Sequence, residues 1–218
     1  MGDLNETLFL ALNASVDASP LTVALAIGAA KYLVLVIPAL LLIGWLGGGA
    51  RQRFVALAGL AALLIAMSLN QLVGMVAYAP RPFVLGLGHT LIDHRPSSSF
   101  PSNHATVCFT LAAVLAIYAE FSRAWAIAGL GAVVAWSRVY LGIHFPLDML
   151  GAAASACLSA LVGSWLMARW GLGLLHGAEE LYRLVFGSLI QRGWLPRSSP
   201  PQSRRMSGLP RSWRPRGL

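Results

Sequence analysis

The chain is short of nearly everything that makes a protein water-soluble. Of its 218 residues 11% are charged and only eight are acidic, while 57% are hydrophobic; ordinary globular chains carry about 25% charge. Lys31 is the one lysine among 16 basic side chains. The two cysteines, Cys108 and Cys157, both fall inside apolar runs and read as small packing residues. No internal repeat is visible, so a repeat-built transporter is not indicated. No His, Cys or carboxylate set has the spacing of a complete metal site, so neither a metal nor another cofactor is expected. The N-terminus holds Asp3 and Glu6 where a cleavable signal peptide would carry basic residues, so no such peptide is expected.

What the chain does have is long apolar runs. Stretches of roughly 20 apolar residues mark membrane-crossing helices. Five are visible: Leu21–Gly47, Phe54–Tyr78, Ala105–Ala119, Ala124–Leu141 and Pro146–Met167. The third is short and extends readily to include His104. The fold class expected is therefore all-α, a polytopic membrane helix bundle of about five transmembrane helices. With five spans, Arg51, Arg53, Arg123 and the arginine-rich C-terminus share one face, which the positive-inside rule assigns to the cytoplasm. The N-terminus, the 79–104 loop and the 142–146 turn then lie outside.

The two ends carry shorter signals. Residues 3–17 mix Leu4, Leu8, Leu10 and Leu12 with polar residues and predict a helix in the outer interface. Residues 174–190 repeat apolar side chains at helical spacing around Glu179, Glu180 and Arg183, predicting an interfacial amphipathic helix over 171–192. From Leu195 onward come six arginines, five prolines and no acid, a disordered composition. Such a basic tail beside a membrane reads as a contact for anionic lipid headgroups, rather than for nucleic acid. The domain organisation expected is thus a membrane-embedded unit at 1–170, the amphipathic helix at 171–192 and a basic cytoplasmic tail at 193–218.

Chemistry concentrates in three short segments at the ends of the apolar runs: Arg81-Pro82, Pro101-Ser102-Asn103-His104, and Ser137-Arg138 followed by His144 and Asp148. All three fall on the same expected face. His144 and Asp148 are four residues apart at a span start, so one helical turn aligns them. A carboxylate on one ring nitrogen fixes the tautomer and frees the other nitrogen to attack. His104 begins a helix, where the N-terminal dipole favours an anion, and is placed to protonate a leaving oxygen. Arg81 and Arg138 would neutralise charge on the equatorial oxygens of a transferring phosphoryl group. Two arginines, two histidines and one carboxylate on one face point to phosphoryl transfer at a membrane surface.

This pattern resembles the type 2 phosphatidic acid phosphatase superfamily, whose motifs read KxxxxxxRP, PSGH and SRxxxxxHxxxD. The third motif is complete here, the second has Asn103 in place of glycine, and the first keeps Arg81-Pro82 but has Gly74 at the lysine position. The resemblance spans roughly residues 1–170. Arg81-Pro82-Phe83, Gly86-Leu87-Gly88 and Ser99-Phe100-Pro101 are most similar to the bacterial undecaprenyl-diphosphatase, or bacitracin-resistance, branch. The resemblance implies His144 as nucleophile, Asp148 as its orienting partner and His104 as general acid. It also implies Arg81, Ser102 and Arg138, flanked by Pro101 and Asn103, as the phosphate-binding set, with no metal. The substrate implied is a polyprenyl diphosphate, cleaved to the monophosphate carrier during cell-wall lipid recycling at the outer face of a bacterial inner membrane. Other lipid phosphates (phosphatidylglycerophosphate, phosphatidic acid, lipid A) and transfer to an alcohol instead of water stay open.

Three further features are open between two readings. Lys31 lies inside the first span, where a cation suggests function by default; it either replaces the absent motif lysine near the lipid phosphate or snorkels to the interface. Asn70 is either a polar link between helices or a site residue. His89, Asp93, His94 and Arg95 are solvated loop residues by default, with Arg95 or His94 placed to touch a second phosphate.

Overall fold

Among residues 2–196, which the computed structural model describes, every regular element is helical. A short α1 (Gly2–Leu12) precedes α2 (Pro20–Tyr32) and α3 (Val36–Leu46), which run on as one apolar unit through a 3₁₀ turn at Leu33–Leu35. Pro38 has no N–H for the Val34 carbonyl, and the helix tightens just before it. Then follow α4 (Ala50–Val76), α5 (Asn103–Ile117), α6 (Phe121–Tyr140) and α7 (Pro146–Gln191).

Three units are long and apolar enough to cross a membrane: Pro20–Leu46, Ala50–Val76 and Pro146–Gln191. Of the other two expected spans, α5 is an apolar helix of 15 residues and α6 has 20. The short α5 is the helix that α4, α6 and α7 pack around, and Cys108, Leu111, Val114 and Leu115 on it enter the main core.

Close packing between α4 and α7 comes from small side chains. Ala58, Ala62 and Ala66 are fully buried at four-residue spacing on α4, and Gly163 of α7 lies against Ala62 so closely that a Cβ there would sit 3.0 Å from its backbone. Small residues let membrane helices approach where lipid offers no hydrophobic drive. The same stripe continues into Asn70, which accepts from the Ser155 hydroxyl at 2.7 Å and donates to Thr106 at 2.9 Å and to Asn103 at 3.0 Å. Asn70 is therefore a link among three helices, directly under the second motif.

The C-terminal third departs from the sequence expectation. The segment 171–192, expected to be a separate amphipathic helix, is up to Gln191 the continuation of α7, which runs unbroken for 46 residues. No proline interrupts it, and its glycines are outweighed by packing: Gly171 meets the Phe54 ring, and Leu175, Glu179 and Tyr182 are buried. At 1.5 Å per residue α7 is about 69 Å long, more than the roughly 40–45 Å of a whole bilayer. The arginine-rich tail lies, from residue 197, outside the described residues.

Short connections reverse the chain between α5 and α6 and again between α6 and α7, so α5 and α7 start at the same end. The 77–102 loop, the start of α5 and the 141–145 turn consequently meet at one end, with Arg51, Glu120 and Arg123 at the other. The expected N-terminal helix, α1, caps the first end. Its Phe9 is fully buried against Phe145, ring centroids 5.3 Å apart, and Asn13 bridges the Tyr140 and His89 carbonyls.

Candidate active site

The site is built on the turn between α6 and α7. Gly142 has φ +81°, and a Cβ there would lie 2.1 Å from the His89 carbonyl oxygen, so the turn and the loop over it require glycine. The Ile143 N–H returns to the Arg138 carbonyl at 3.2 Å. Phe145 is extended and caps α7, whose first residue is Pro146, where the missing N–H costs little. Asp148, third in that helix, accepts the Phe145 N–H at 2.8 Å, as an acid in a helix's first turn commonly does.

The same carboxylate oxygen holds His144. His144 Nδ1 lies 3.0 Å from Asp148 Oδ2, and the Ser99 hydroxyl donates to that oxygen while lying 3.3 Å from Nδ1. Three donors thus converge on Oδ2 and fix Nδ1 as the protonated nitrogen. Nε2 is left with its lone pair facing the pocket, 3.0 Å from Arg81 Nη1. Burial pushes the His144 imidazole down to about 4, outweighing the opposing pull of Asp148. At neutral pH the ring is uncharged and nucleophilic.

The two arginines are used differently. Arg81 makes five hydrogen bonds: Nε to Ser97 O at 3.0 Å, Nη1 to Ile143 O at 2.8 Å and to His144, Nη2 to Ser98 O at 3.1 Å and to the Ser97 hydroxyl at 3.3 Å. Those match its five N–H groups, so Arg81 ties the 97–99 loop to the catalytic turn. Arg138, equally buried, is bonded through Nη2 to His94 Nε2 at 3.1 Å, and its Nε has no partner. The Ser102 hydroxyl is also buried without a partner. Neither arginine is paired with a carboxylate among the described residues. Buried cations without a counter-charge and donors without a partner suit the binding of an anion.

The remaining expected residues divide. Ser102 begins α5 and its N–H reaches the Asp148 carbonyl at 3.3 Å, joining the second motif to the third. Pro101 is buried beside it. His104 is half-buried in the first turn of α5, with Arg138, His94 and Arg81 in electrostatic reach of its ring. Asn103 turns its amide oxygen to Asn70. Lys31 is exposed and has no hydrogen-bond or ion-pair partner among the described residues, although Ala30 beside it packs into a small cluster with Leu141. The structure leaves it outside the buried constellation. Two partners come from outside the three motifs: His94, which the sequence offers as a contact for a second phosphate, and Ser99. Ser99 stood out only as part of a Ser-Phe-Pro lead, and nothing in its spacing announced a bond to Asp148. Among the described residues no group of three or more His, Cys, Asp or Glu side chains is placed to hold a metal.

Comparison with known proteins settles the family. A model of the PAP2 superfamily matches residues 55–171. The chain belongs to that superfamily. It is 35% identical over 193 residues to the putative undecaprenyl-diphosphatase YbjG of Escherichia coli K12, covering 88% of this chain and 98% of the relative. It is 28% identical to the undecaprenyl-diphosphatase BcrC of Bacillus subtilis 168 over 74% of this chain and 81% of that one. Its fold is similar to the crystal structure of a transmembrane PAP2-type phosphatidylglycerolphosphate phosphatase from Bacillus subtilis, with a TM-score of 0.57 at 22% identity, over 74% of this chain and 83% of that chain. The PAP2 protein described here is accordingly a multi-pass membrane enzyme of the lipid phosphatase class.

Proposed function

We propose that this PAP2 enzyme hydrolyses undecaprenyl diphosphate to undecaprenyl phosphate through a phospho-histidine at His144. The observation that carries the proposal is His144 itself: neutral, oriented by Asp148 and Ser99, with the Nε2 lone pair turned to Arg81 Nη1 among arginines that have no carboxylate partner among the described residues. His144 Nε2 attacks the terminal phosphorus, the bond to the bridging oxygen breaks, and undecaprenyl phosphate leaves with the electron pair. His104 supplies a proton to that oxygen where the leaving group needs one. Water then attacks the phospho-histidine with His104 as base, giving inorganic phosphate and regenerating His144.

Charge on the transferring group falls to Arg138 Nε and the Ser102 hydroxyl, which have no partner among the described residues. Arg81 contributes through the Nη1 that rests on His144 Nε2, and otherwise holds the frame. Pro101 and Asn103 shape the α5 terminus, and Lys31, exposed on α2, is given no part in the step. The names of the relatives support the diphosphate, and the arginine distribution supports an outward-facing site at a bacterial inner membrane. That face is where a spent diphosphate carrier would need recycling, which links the activity to cell-wall synthesis and bacitracin tolerance.

Purified enzyme should turn over undecaprenyl diphosphate faster than phosphatidic acid or phosphatidylglycerophosphate at matched detergent ratio. His144→Ala should lose both turnover and acid-labile phosphoenzyme, by about 10⁴-fold or more in rate, in line with removal of other catalytic nucleophiles. A preference for a glycerolipid monophosphate would reject the substrate, and near-normal phosphate release by the variant would reject the nucleophile.

A further inference from the structure

His94 belongs to none of the three motifs, yet it projects into the phosphate pocket from the loop between the first and second. It is half-buried there, and its ring lies 6.4 Å from that of His144, edge to face. Nδ1 sits 3.0 Å from the Arg95 carbonyl oxygen, which accepts only from a protonated nitrogen and so fixes the tautomer. Nε2 is then the acceptor for Arg138 Nη2. His94 thus offers Arg138 a lone pair of the kind a phosphate oxygen would supply.

We propose that His94 is a substrate-contacting specificity residue that binds the second phosphate of a lipid diphosphate, the one that stays with the leaving group. The inference rests on the diphosphate reading above and deepens it. A monophosphate is served by the orphaned donors of Arg138 and Ser102 together with Arg81 Nη1. A diphosphate brings further oxygens and more negative charge, and the ring next to Arg138 is the group left to meet them. His94 also lies in electrostatic reach of His104, the residue assigned to the leaving oxygen, so the two imidazoles share the leaving-group side. In-line transfer places the leaving oxygen opposite the attacking nitrogen, and the leaving phosphate then follows toward those two rings.

Contact with a phosphate oxygen requires Nε2 to become a donor. Nδ1 faces a carbonyl and Nε2 an arginine donor, and burial, with Arg81, Arg138 and Arg95 around it, holds the imidazole below its usual range, so His94 starts neutral. The charged and titratable groups facing it are those three arginines, His104 on α5, and His144 with its partner Asp148 at the start of α7. A diphosphate offsets the arginines, and His94 takes a proton from solvent as the substrate enters. Nε2–H then donates to the phosphate while Arg138 turns to the transferring group.

The test uses the full-length enzyme with farnesyl diphosphate and farnesyl phosphate, which share a chain and differ by one phosphate. His94→Ala should lower kcat/KM on the diphosphate by about 10- to 100-fold, the worth of a hydrogen bond to a charged group, and on the monophosphate by no more than about 3-fold. His94→Gln, a neutral donor of similar reach, should recover much of the diphosphate activity. It should also abolish the rise of wild-type KM for the diphosphate between pH 6 and 8. Equal losses on both substrates, or no loss on either, would overturn the role of His94 while leaving the diphosphatase reading standing. A wild-type enzyme that does not favour the diphosphate would overturn both, and that arm is read before any variant is made.

Discussion

The two ends of the helix bundle handle arginine in opposite ways. At the end away from the site every buried or half-buried arginine meets a carboxylate. Arg51 and Arg123 share Glu120 at 3.0 and 2.7 Å, and Arg53, 1% exposed, reaches Glu179 at 3.4 Å with its guanidinium 4.4 Å from the Tyr182 ring centroid. At the site end Arg81 and Arg138 are 5% and 4% exposed and have none. The carboxylate built into the site, Asp148, is committed to His144, Ser99 and the Phe145 N–H. A cation taken out of water needs a counter-charge close by. One end carries its own, and the other leaves that place to the substrate.

The comparison can be broken first where it is purely structural. Arg53→Met leaves Glu179 buried and poorly compensated, and should destabilise the enzyme by about 3–5 kcal/mol. Pairing it with Glu179→Leu should restore most of that, because both charges then leave together. Denaturant titration in detergent reads both, and a double variant no more stable than the single would mean the pair is not the unit.

At the other end the effect should fall on rate. Arg138→Ala should lower kcat by about 10²–10³, comparable with loss of a single preorganised donor to a transition-state oxyanion, with little change in stability because no internal partner carboxylate is stranded. Arg123→Ala, exposed on the opposite end, should leave turnover within about 2-fold, as surface ion pairs are worth little. Similar kinetic losses from the two variants would erase the distinction between paired and unpaired arginines.

The smallest effect concerns acid. His144 stays neutral in the fold down to about pH 4, whereas in an unfolded chain histidine takes its proton near 6.5. The unfolded state therefore binds more protons between those values, and stability falls as pH is lowered through that window. Thermal unfolding at pH 7 and pH 5 should show a drop that is smaller in His144→Asn. An equal drop in both proteins would assign the acid sensitivity to other groups.

Much of this was written in the chain itself. Apolar runs near 20 residues leave the backbone no option but helix in a membrane, and the spacing of Ser137, Arg138, His144 and Asp148 carried the chemistry because one helical turn aligns the last two. Proline in the first turn of α7 and the Asp148 cap are local events, decided within four residues. What lay beyond reach depended on segments distant in sequence. Ser99 meets Asp148 across 49 residues and His94 meets Arg138 across 44, and no periodicity encodes such a pairing. The continuous α7 was hidden for the same reason, since Gly171 reads as a weak point until Phe54 packs into it. Arg81 and Arg138 look alike in sequence; only the folded loop at 97–99 spends the donors of one and leaves those of the other open. Local rules decide which residue types stand at a helix end, and tertiary contacts decide which of their hydrogen bonds remain for a ligand.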